Sequence, residues 1–281
     1  MITQICITGA GTMGMGIAMT AAQNGFQTIL FDINSDVVEK ARQQIGANLA
    51  SLIEKKKITV EEQTAVLSRI LFTSRLDECR ANLVIEAIVE KIAVKEDLFK
   101  KLAAINSPET LLASNTSSLS ISEIQKNIPS PERVAGMHFF NPAHIMKLVE
   151  VVKGKLTSDD TANRIADLCR QLNKTPVLCN DAPGFIVNRV ARHYYLEALH
   201  LVETGKISIE QADAAMENAG FKMGPFKLMD MIGMDINLAV TTSLYEAFDK
   251  AVRFKPSDLQ TEKVAKNELG KKTGKGFYIY P

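Results

Sequence analysis

The order of apolar and polar positions divides the chain into two parts. Up to about residue 180, short apolar runs alternate with longer stretches in which apolar residues recur at helical spacing. Beyond about residue 185 only the helical spacing remains. Because strands that alternate with helices are typical of a parallel sheet, the pattern predicts an α/β domain with a doubly wound sheet, followed by an all-α domain.

The apolar runs give the predicted strands of the first domain. The first run contains Ile2, Ile5 and Ile7. The others are Phe26–Phe31, Arg69–Thr73, Ala81–Glu86, Leu111–Ala113, Arg133–Met137, Met146–Val152 and Pro176–Cys179.

A long connection between the second and third runs predicts a helical hairpin. Asn34 can cap a helix that continues to about Lys57, and a shorter helix follows to about Leu67. We therefore predict a helical arm over about 36–67 that projects from the first domain. The lysines near its tip, Lys55 to Lys57, either form an ordinary solvated face or contact the phosphates of a long substrate.

The helical part begins near Pro183, so we predict domains over 1–183 and 184–281. Its first helix, Phe185–Glu203, carries apolar residues around most of its circumference and should be buried. Such a helix is often an oligomer interface, which favours a homodimer or a higher homo-oligomer. We predict a turn at Gly224–Phe226. The remaining predicted helices are Glu210–Asn218, Asp235–Phe248 and Asp258–Glu268.

A glycine-rich turn joins the first strand to the first helix. Gly9, Gly11 and Gly14 have the G-x-G-x-x-G spacing, and Asp32 ends the second strand. Such glycines let a pyrophosphate approach the helix N-terminus, and such an acid binds ribose hydroxyls. Because a carboxylate repels a 2′-phosphate, the sequence predicts a Rossmann-like domain that binds NAD rather than NADP. The alternative is a plain glycine-rich βαβ turn. The cofactor-binding candidates here are Gly9, Gly11, Thr12, Met13, Gly14 and Asp32.

Composition narrows the possible partners and the location. The chain has 281 residues, a formal net charge of +1 and a pI near 7.6, which gives no electrostatic basis for binding nucleic acid or an anionic membrane. No apolar run approaches the roughly 20 residues of a membrane span, and the N-terminus lacks the pattern of a signal peptide. The four cysteines show neither a C-x-x-C pair nor zinc-ligand spacing. We therefore expect no metal site, and buried free thiols in a reducing compartment, the cytoplasm.

Two residues on neighbouring predicted strands are candidates for acid/base chemistry. His138 follows one strand, and Glu150 lies within the next, between Val149 and Val151. A carboxylate in so apolar a strand is costly to bury without a partner. A His138–Glu150 pair would remove that cost and stabilise the protonated imidazole, and oxidation of a secondary alcohol by a nicotinamide needs such a base. The alternatives are a structural histidine and an edge glutamate that faces water.

Small hydrogen-bonding residues follow the Leu111–Ala113 strand. They are Ser114, Asn115, Thr116, Ser117 and Ser118. Because the carboxyl ends of strands face the ligand crevice in open α/β sheets, this stretch either belongs to the site or is an ordinary capped loop before the predicted helix Ile121–Asn127.

Longer motifs around these residues resemble the 3-hydroxyacyl-CoA dehydrogenase family, and within it the bacterial short-chain 3-hydroxybutyryl-CoA dehydrogenases. The resemblance covers nearly the whole chain. The motifs are GAGTMG (9–14), LVIEA (83–87), ASNTSSL (113–119), GMHFFNP (136–142), MKLVEVV (146–152), PGFIVNR (183–189), MGPF (223–226), GMD (233–235) and KKTGKGFY (271–278).

The resemblance implies NAD-dependent interconversion of a short-chain (S)-3-hydroxyacyl-CoA and its 3-ketoacyl-CoA. It makes His138 the general acid/base, Glu150 its partner, and Ser117 and Asn188 the hydrogen-bond donors to the substrate oxygen. Asp32 would bind the adenine ribose. The further NAD contacts that it implies are Glu90, Lys95, Asn115, Ser117, Asn141 and Lys272. Coenzyme A would contact the arm at Asn48 and Lys55, and the C-terminal domain would close the substrate site and form the dimer.

Four positions depart from the family pattern. Asn48 stands where relatives often have serine, and Lys91 where many have asparagine. His144 and His193 occupy positions where proline is expected. None of these changes removes an implied catalytic residue.

Two other functions remain open from the sequence. Free 3-hydroxy acid dehydrogenases use a lysine as acid, in a G-x-x-G-x-G-x-x-x-K motif after the domain boundary. This chain instead has Gly184 to Arg189 and no lysine there until Lys206. The other alternative is a non-catalytic relative that retains the fold and the NADH site, but the presence of His138, Glu150, Ser117 and Asn188 together speaks against it.

Overall fold

A computed structural model describes residues 2–281. The chain divides into two compact units: the first extends to Ala182 and the second begins at Pro183. Among the residues described, no helix is both long enough and apolar enough to cross a lipid bilayer.

The first unit is built on one eight-stranded sheet. Its strands are β1 (Gln4–Thr8), β2 (Gln27–Phe31), β3 (Ile70–Thr73), β4 (Leu83–Glu86), β5 (Leu111–Ser114), β6 (Val134–Phe139), β7 (Leu148–Lys153) and β8 (Thr175–Asn180). They lie in the order β3-β2-β1-β4-β5-β6-β7-β8. All neighbours are parallel except β6 and β7, which are antiparallel. This order confirms the predicted Rossmann-like α/β fold, because β1 and β4 meet where the chain changes direction across the sheet.

Helices flank this sheet. They are α1 (Thr12–Gln23), α2 (Ser35–Glu54), α3 (Val60–Ser68), α4 (Ile92–Ile105), α5 (Ile121–Gln125) and α6 (Asp159–Gln171). The predicted hairpin arm is formed by α2 and α3: the Asn34 side chain caps α2, and a capping box of Thr59 and Glu62 begins α3. The inner face of α2, which includes Ile45 and Leu49, is buried in the core of the unit.

The second unit is helical, as predicted. Its α-helices are α7 (Val187–Glu203), α8 (Ile209–Asn218), α9 (Pro225–Ile232), α10 (Met234–Ala247) and α11 (Asp258–Ala265). The prediction of a turn at Gly224–Phe226 is wrong, because Gly224 is the N-cap of α9 and Pro225 its first residue. Proline suits that position, since the first N–H of a helix has no partner within it.

The expectation that the first helix of this unit is buried is also wrong. Only Arg192, Tyr195 and Leu199 of α7 are buried, and their spacing places them along one stripe. Val190 is 65% exposed. The helix is therefore amphipathic, although apolar side chains also lie on its outer face.

The four cysteines are free thiols, and three of them, Cys6, Cys79 and Cys169, are buried as expected. Cys179 is only half-buried, because it lies on β8 at the edge of the sheet. Burial, followed by the nearby charges of Glu150 and Asp181, raises the pKa of Cys179 to about 12, so the thiol stays protonated near neutral pH.

Candidate active site

The glycine turn has the close contacts that its spacing predicts. Gly9 has φ of +99°, and a Cβ there would lie 2.5 Å from the Ala87 carbonyl oxygen. A Cβ on Gly14 would lie 1.7 Å from the Gly9 carbonyl oxygen, so only glycine lets α1 begin this close to β1. A Cβ on Gly11 would meet nothing within 4 Å. Space is therefore open where the turn meets the start of α1.

The donors beside this space suit a dinucleotide. Gly11 is the N-cap of α1, and within residues 2–281 no side chain caps this helix, so the N–H groups of its first turn can face an anion. The Asp32 carboxylate accepts from the Ala10 N–H at 2.9 Å and from the Asn34 N–H at 3.1 Å. These bonds hold the carboxylate beside the glycine turn. The residues present thus fit NAD, with phosphates at α1 and ribose hydroxyls at Asp32.

His138 and Glu150 face each other across the antiparallel strands β6 and β7, where they are register partners. The His138 Nδ1 and Glu150 Oε2 atoms are 2.8 Å apart, and the residues are 6% and 1% exposed. Strand β6 extends through Phe139 rather than ending at Met137, so His138 lies within a strand. The pairing agrees with the prediction and resolves the cost of burying Glu150.

This contact also indicates which imidazole nitrogen carries a proton. An ionised carboxylate only accepts hydrogen bonds, so we assign the hydrogen to Nδ1. Nε2 is then the nitrogen that can exchange a proton with a ligand. The ring of Phe140 lies beside the imidazole, with 4.5 Å between ring centroids.

The Ser114–Ser118 stretch is fixed by groups from neighbouring strands. The Glu90 carboxylate accepts from the Thr116 hydroxyl, from the Ser117 N–H at 3.1 Å and from the Ser118 hydroxyl at 3.4 Å. The Asn115 Oδ1 atom accepts from the Phe139 N–H at 2.9 Å. The stretch therefore lies at the carboxyl ends of β4, β5 and β6, along the same edge as the glycine turn.

Lys95, an implied NAD contact, is 1% exposed on the inner side of α4. Its Nζ atom lies 2.6 Å from Glu86 Oε1 and 3.0 Å from Glu90 Oε2. Burial alone would raise the pKa of Glu90, but the Lys95 charge and hydrogen bonds from Thr116 and neighbouring groups outweigh it, and the pKa lies below the ordinary value. Sequence reasoning missed Glu86, whose only signal was an acid at the carboxyl end of a buried strand.

Asn141 lies in the exposed loop that follows β6. This loop packs on α1, since a Cβ on Gly16 would lie 3.1 Å from the Ala143 Cβ. The Lys174 ammonium donates to the Ala143 carbonyl at 2.7 Å and to the Met146 carbonyl at 2.9 Å. Asn141 is thus held near the first turns of α1, and the role of Lys174 in holding this loop was not predicted from the sequence.

The other implied contacts lie elsewhere in the chain. Asn48 and Lys55 are on the arm, where Asn48 Oδ1 accepts from Gln44 Nε2 at 3.0 Å and Lys55 is exposed at the end of α2. Asn188 and Lys272 belong to the second unit. Asn188 lies in the first turn of α7, and Lys272 Nζ contacts the Asp235 carboxylate at 2.5 Å. The first unit alone brings together the glycine turn, Asp32, Ser117, His138 and Glu150 at one edge of the sheet.

Comparison with known proteins gives the same assignment for both units. Residues 4–182 match the family model described as 3-hydroxyacyl-CoA dehydrogenase, NAD binding domain. Residues 184–280 match the model described as 3-hydroxyacyl-CoA dehydrogenase, C-terminal domain.

Individual relatives are similar over the full length of the chain. It is 46% identical over 279 residues to 3-hydroxyadipyl-CoA dehydrogenase of Escherichia coli K12, covering 99% of this chain but only 59% of that protein. It is 42% identical to a probable 3-hydroxybutyryl-CoA dehydrogenase of Bacillus subtilis, covering 99% and 98% of the two chains. The crystal structure of (S)-3-hydroxybutyryl-CoA dehydrogenase from Ralstonia eutropha matches with a TM-score of 0.95 and 37% identity, covering 100% of both chains.

Proposed function

The chain belongs to the 3-hydroxyacyl-CoA dehydrogenase family, and from this premise we propose that it interconverts (S)-3-hydroxyacyl-CoA and 3-ketoacyl-CoA with NAD as coenzyme. The observation that carries the proposal is the buried His138–Glu150 pair, with 2.8 Å between Nδ1 and Oε2. It lies on the same sheet edge as the glycine turn and Asp32.

The pair supplies the proton chemistry of the reaction. Bound NAD would supply the acceptor for the hydride from C3 of the hydroxyacyl group, and NADH the hydride donor in the reverse direction. His138 Nε2 accepts the hydroxyl proton in oxidation, so that the C–O single bond becomes a carbonyl. In reduction the protonated imidazole donates the proton to the 3-keto oxygen. Glu150 holds the ring through Nδ1 and balances the positive charge that forms on it.

Two further groups orient the substrate. Ser117 and Asn188 hydrogen-bond the substrate oxygen, a role that rests on the family resemblance. The fixed Ser114–Ser118 stretch supports this role for Ser117, because the Glu90 carboxylate holds its backbone. Coenzyme A contacts the arm, with Asn48 and Lys55 as the first candidates.

NAD is preferred over NADP because of Asp32. Its carboxylate lies beside the glycine turn and would repel a 2′-phosphate while binding the ribose hydroxyls. The further contacts to the coenzyme are Glu90, Lys95, Asn115, Ser117, Asn141 and Lys272.

The acyl group is short in our proposal, as the names of the Bacillus and Ralstonia proteins suggest. The Escherichia coli relative is named for 3-hydroxyadipyl-CoA, whose acyl chain ends in a second carboxylate. A dicarboxylic acyl-CoA is therefore the second candidate substrate.

The second unit is the proposed site of homodimer formation. Apolar side chains remain exposed on its helices: Val190 is 65% exposed, Met231 50% and Ile236 50%. Exposed apolar surface of this kind often marks a protein interface. The free thiols fit a cytoplasmic location.

Loss of NADH absorbance at 340 nm with acetoacetyl-CoA tests the function. We expect fast turnover that falls with longer 3-ketoacyl-CoA chains, and slower turnover with NADPH. Faster turnover with 3-ketoadipyl-CoA would select the second candidate substrate. Turnover of a free 3-keto acid but of no CoA thioester would select a free-acid dehydrogenase. NADH binding without any turnover would select a non-catalytic relative.

A further inference from the structure

A second buried acid–base pair lies beside the proposed cofactor site and takes no part in the proton chemistry. Glu86, the last residue of β4, is 0% exposed, and Lys95 on α4 is 1% exposed. Their charged atoms are 2.6 Å apart. Burial of two charges is costly unless their geometry and hydrogen bonds compensate, so the contacts of this pair indicate what it holds in place.

Both carboxylate oxygens of Glu86 are engaged. Oε1 accepts from the Lys95 ammonium and from the Ile88 N–H at 2.8 Å, and Oε2 accepts from the Ser114 hydroxyl at 2.7 Å. One side chain thus connects the end of β4, the segment that follows it, helix α4 and the end of β5.

The contacts of Glu86 extend to the glycine turn. In the sheet register Glu86 pairs with Thr8, the residue before Gly9. The next residue, Ala87, donates its N–H to the Thr8 carbonyl at 2.8 Å, and its own carbonyl limits the space beside Gly9. A displacement of Glu86 would therefore also displace the Ala87 carbonyl, which lies beside Gly9.

Lys95 also contacts Glu90, the carboxylate that holds the Ser117 backbone. Its ammonium contacts both Glu86 and Glu90, and Glu90 accepts from the Ser117 N–H. Two carboxylates and one ammonium leave this cluster with one net negative charge. The cluster therefore connects the strand end beside the glycine turn to Glu90.

We propose that Glu86 is a positioning residue for NAD binding, which acts by fixing Lys95 and the glycine turn. The proposal rests on the proposed function only for the identity of the coenzyme. The proposal also predicts whether neutralising Glu86 raises or lowers the affinity for the coenzyme. If Glu86 contributed only its charge, neutralising it would strengthen the binding of an anionic coenzyme; if it positions the site, neutralising it weakens that binding.

The test compares NADH affinity in wild type and Glu86→Gln, measured by NADH fluorescence in the absence of acyl-CoA. Gln keeps the size of the side chain and removes the charge that holds Lys95. We expect the Kd for NADH to rise about tenfold or more, since hydrogen bonds to a buried charge are among the stronger ones. At saturating NADH, kcat with acetoacetyl-CoA should stay within about threefold of wild type, because His138, Glu150 and the Glu90 carboxylate that holds the Ser117 backbone are unchanged.

Arg133→Met is the matched control. Arg133, the residue before β6, is also buried and charged, but its guanidinium donates to the Ser107 and Pro108 carbonyls at the amino ends of the strands. This variant should unfold at a lower temperature and bind NADH like wild type. An equal rise in the Kd for NADH in Arg133→Met would show that the effect of Glu86→Gln comes from a general loss of stability. That result would overturn the proposal.

Ser114→Ala provides the test if Glu86→Gln does not fold, since it removes the hydroxyl that donates to Glu86 Oε2 and otherwise accepts only a longer bond, at 3.2 Å, from the Thr116 N–H. We expect a smaller rise in Kd, about threefold. An unchanged or lower Kd in the folded variant, for either substitution, would overturn the proposal. Because NADH binding is measured without substrate, absence of acyl-CoA turnover in wild type would reject the proposed function while leaving this comparison valid.

Discussion

Two buried acid–base pairs of the first unit differ in the chemistry they permit. His138 and Glu150 face each other across the antiparallel strands β6 and β7, with 2.8 Å between their polar atoms. Glu86 and Lys95 join the end of β4 to helix α4, with a separation of 2.6 Å. Both pairs satisfy a buried carboxylate, so burial alone does not distinguish an acid/base residue from a structural one.

The two pairs differ in the basic group that faces the carboxylate: the imidazole of His138 in one and the ammonium of Lys95 in the other. Imidazole is the side chain that ordinarily changes its charge near neutral pH, and its second nitrogen can exchange a proton while the first stays bound to the carboxylate. The Lys95 ammonium has a single nitrogen, and two carboxylates contact it at 2.6 Å and 3.0 Å. One pair is therefore suited to transfer a proton, and the other to hold strands, helix and loop in one geometry.

His138→Gln should lower kcat by about 10²–10⁴-fold, because it removes the group that accepts or donates the proton. NADH binding should remain, since the residue does not hold the glycine turn. The measurement is NADH oxidation with acetoacetyl-CoA together with NADH fluorescence. His200→Gln, on the exposed side of α7, is the control and should behave like wild type.

Lys95→Met should lower the free energy of unfolding by ~3–5 kcal/mol, because it leaves the Glu86 carboxylate buried without its cation. Urea denaturation measures this change. Lys101→Met is a matched control on the same helix, since Lys101 pairs with Asp97 at the surface. Exposed pairs of this kind contribute ~0–1 kcal/mol. Equal losses in the two variants would remove the distinction between the buried cluster and an ordinary surface pair.

Glu150→Gln should lower kcat by about 10–100-fold and change the pH–rate profile, because glutamine cannot balance a charge on the imidazole. The profile of kcat/KM in the reducing direction between pH 5 and 9 measures the effect. A variant with lower activity but the wild-type profile would show that Glu150 supports the fold without acting on His138.

Glu90→Gln should make stability less sensitive to acid. The pKa of Glu90 in the folded chain lies below its ordinary value despite burial, chiefly because of Lys95 and Thr116. Such a group adds stability above the unfolded pKa, ~4.3 for glutamate, and this stability is lost as pH falls through the folded pKa. Below about pH 4.5, Tm should decrease slightly less in Glu90→Gln than in wild type. The control, Glu39→Gln on the exposed face of α2, should show the same decrease in Tm as wild type.

The sequence alone was sufficient to predict the fold of the first unit and the His138–Glu150 pair. The glycine spacing and Asp32 locate the cofactor turn, because tight backbone approach restricts residue type at Gly9 and Gly14. The His138–Glu150 contact follows from adjacent strands, since register places the two residues opposite each other.

The Glu86–Lys95 pair could not be predicted in the same way. Lys95 reaches Glu86 from a helix, and the contact depends on how α4 packs against β4, which local sequence does not determine. Glycine followed by proline at Gly224 also fits either a turn or the start of a helix. Apolar residues occur around most of α7, so the sequence did not reveal that the helix is buried on one side only. The buried residues on that side are Arg192, Tyr195 and Leu199.

The most direct test of the division between the two pairs is a side-by-side measurement of kcat for His138→Gln and Glu86→Gln at saturating NADH and acetoacetyl-CoA. We predict a loss of at least about 100-fold for His138→Gln and of no more than about threefold for Glu86→Gln. Equal losses in the two variants, or full activity of His138→Gln, would contradict the assignment of proton transfer to His138.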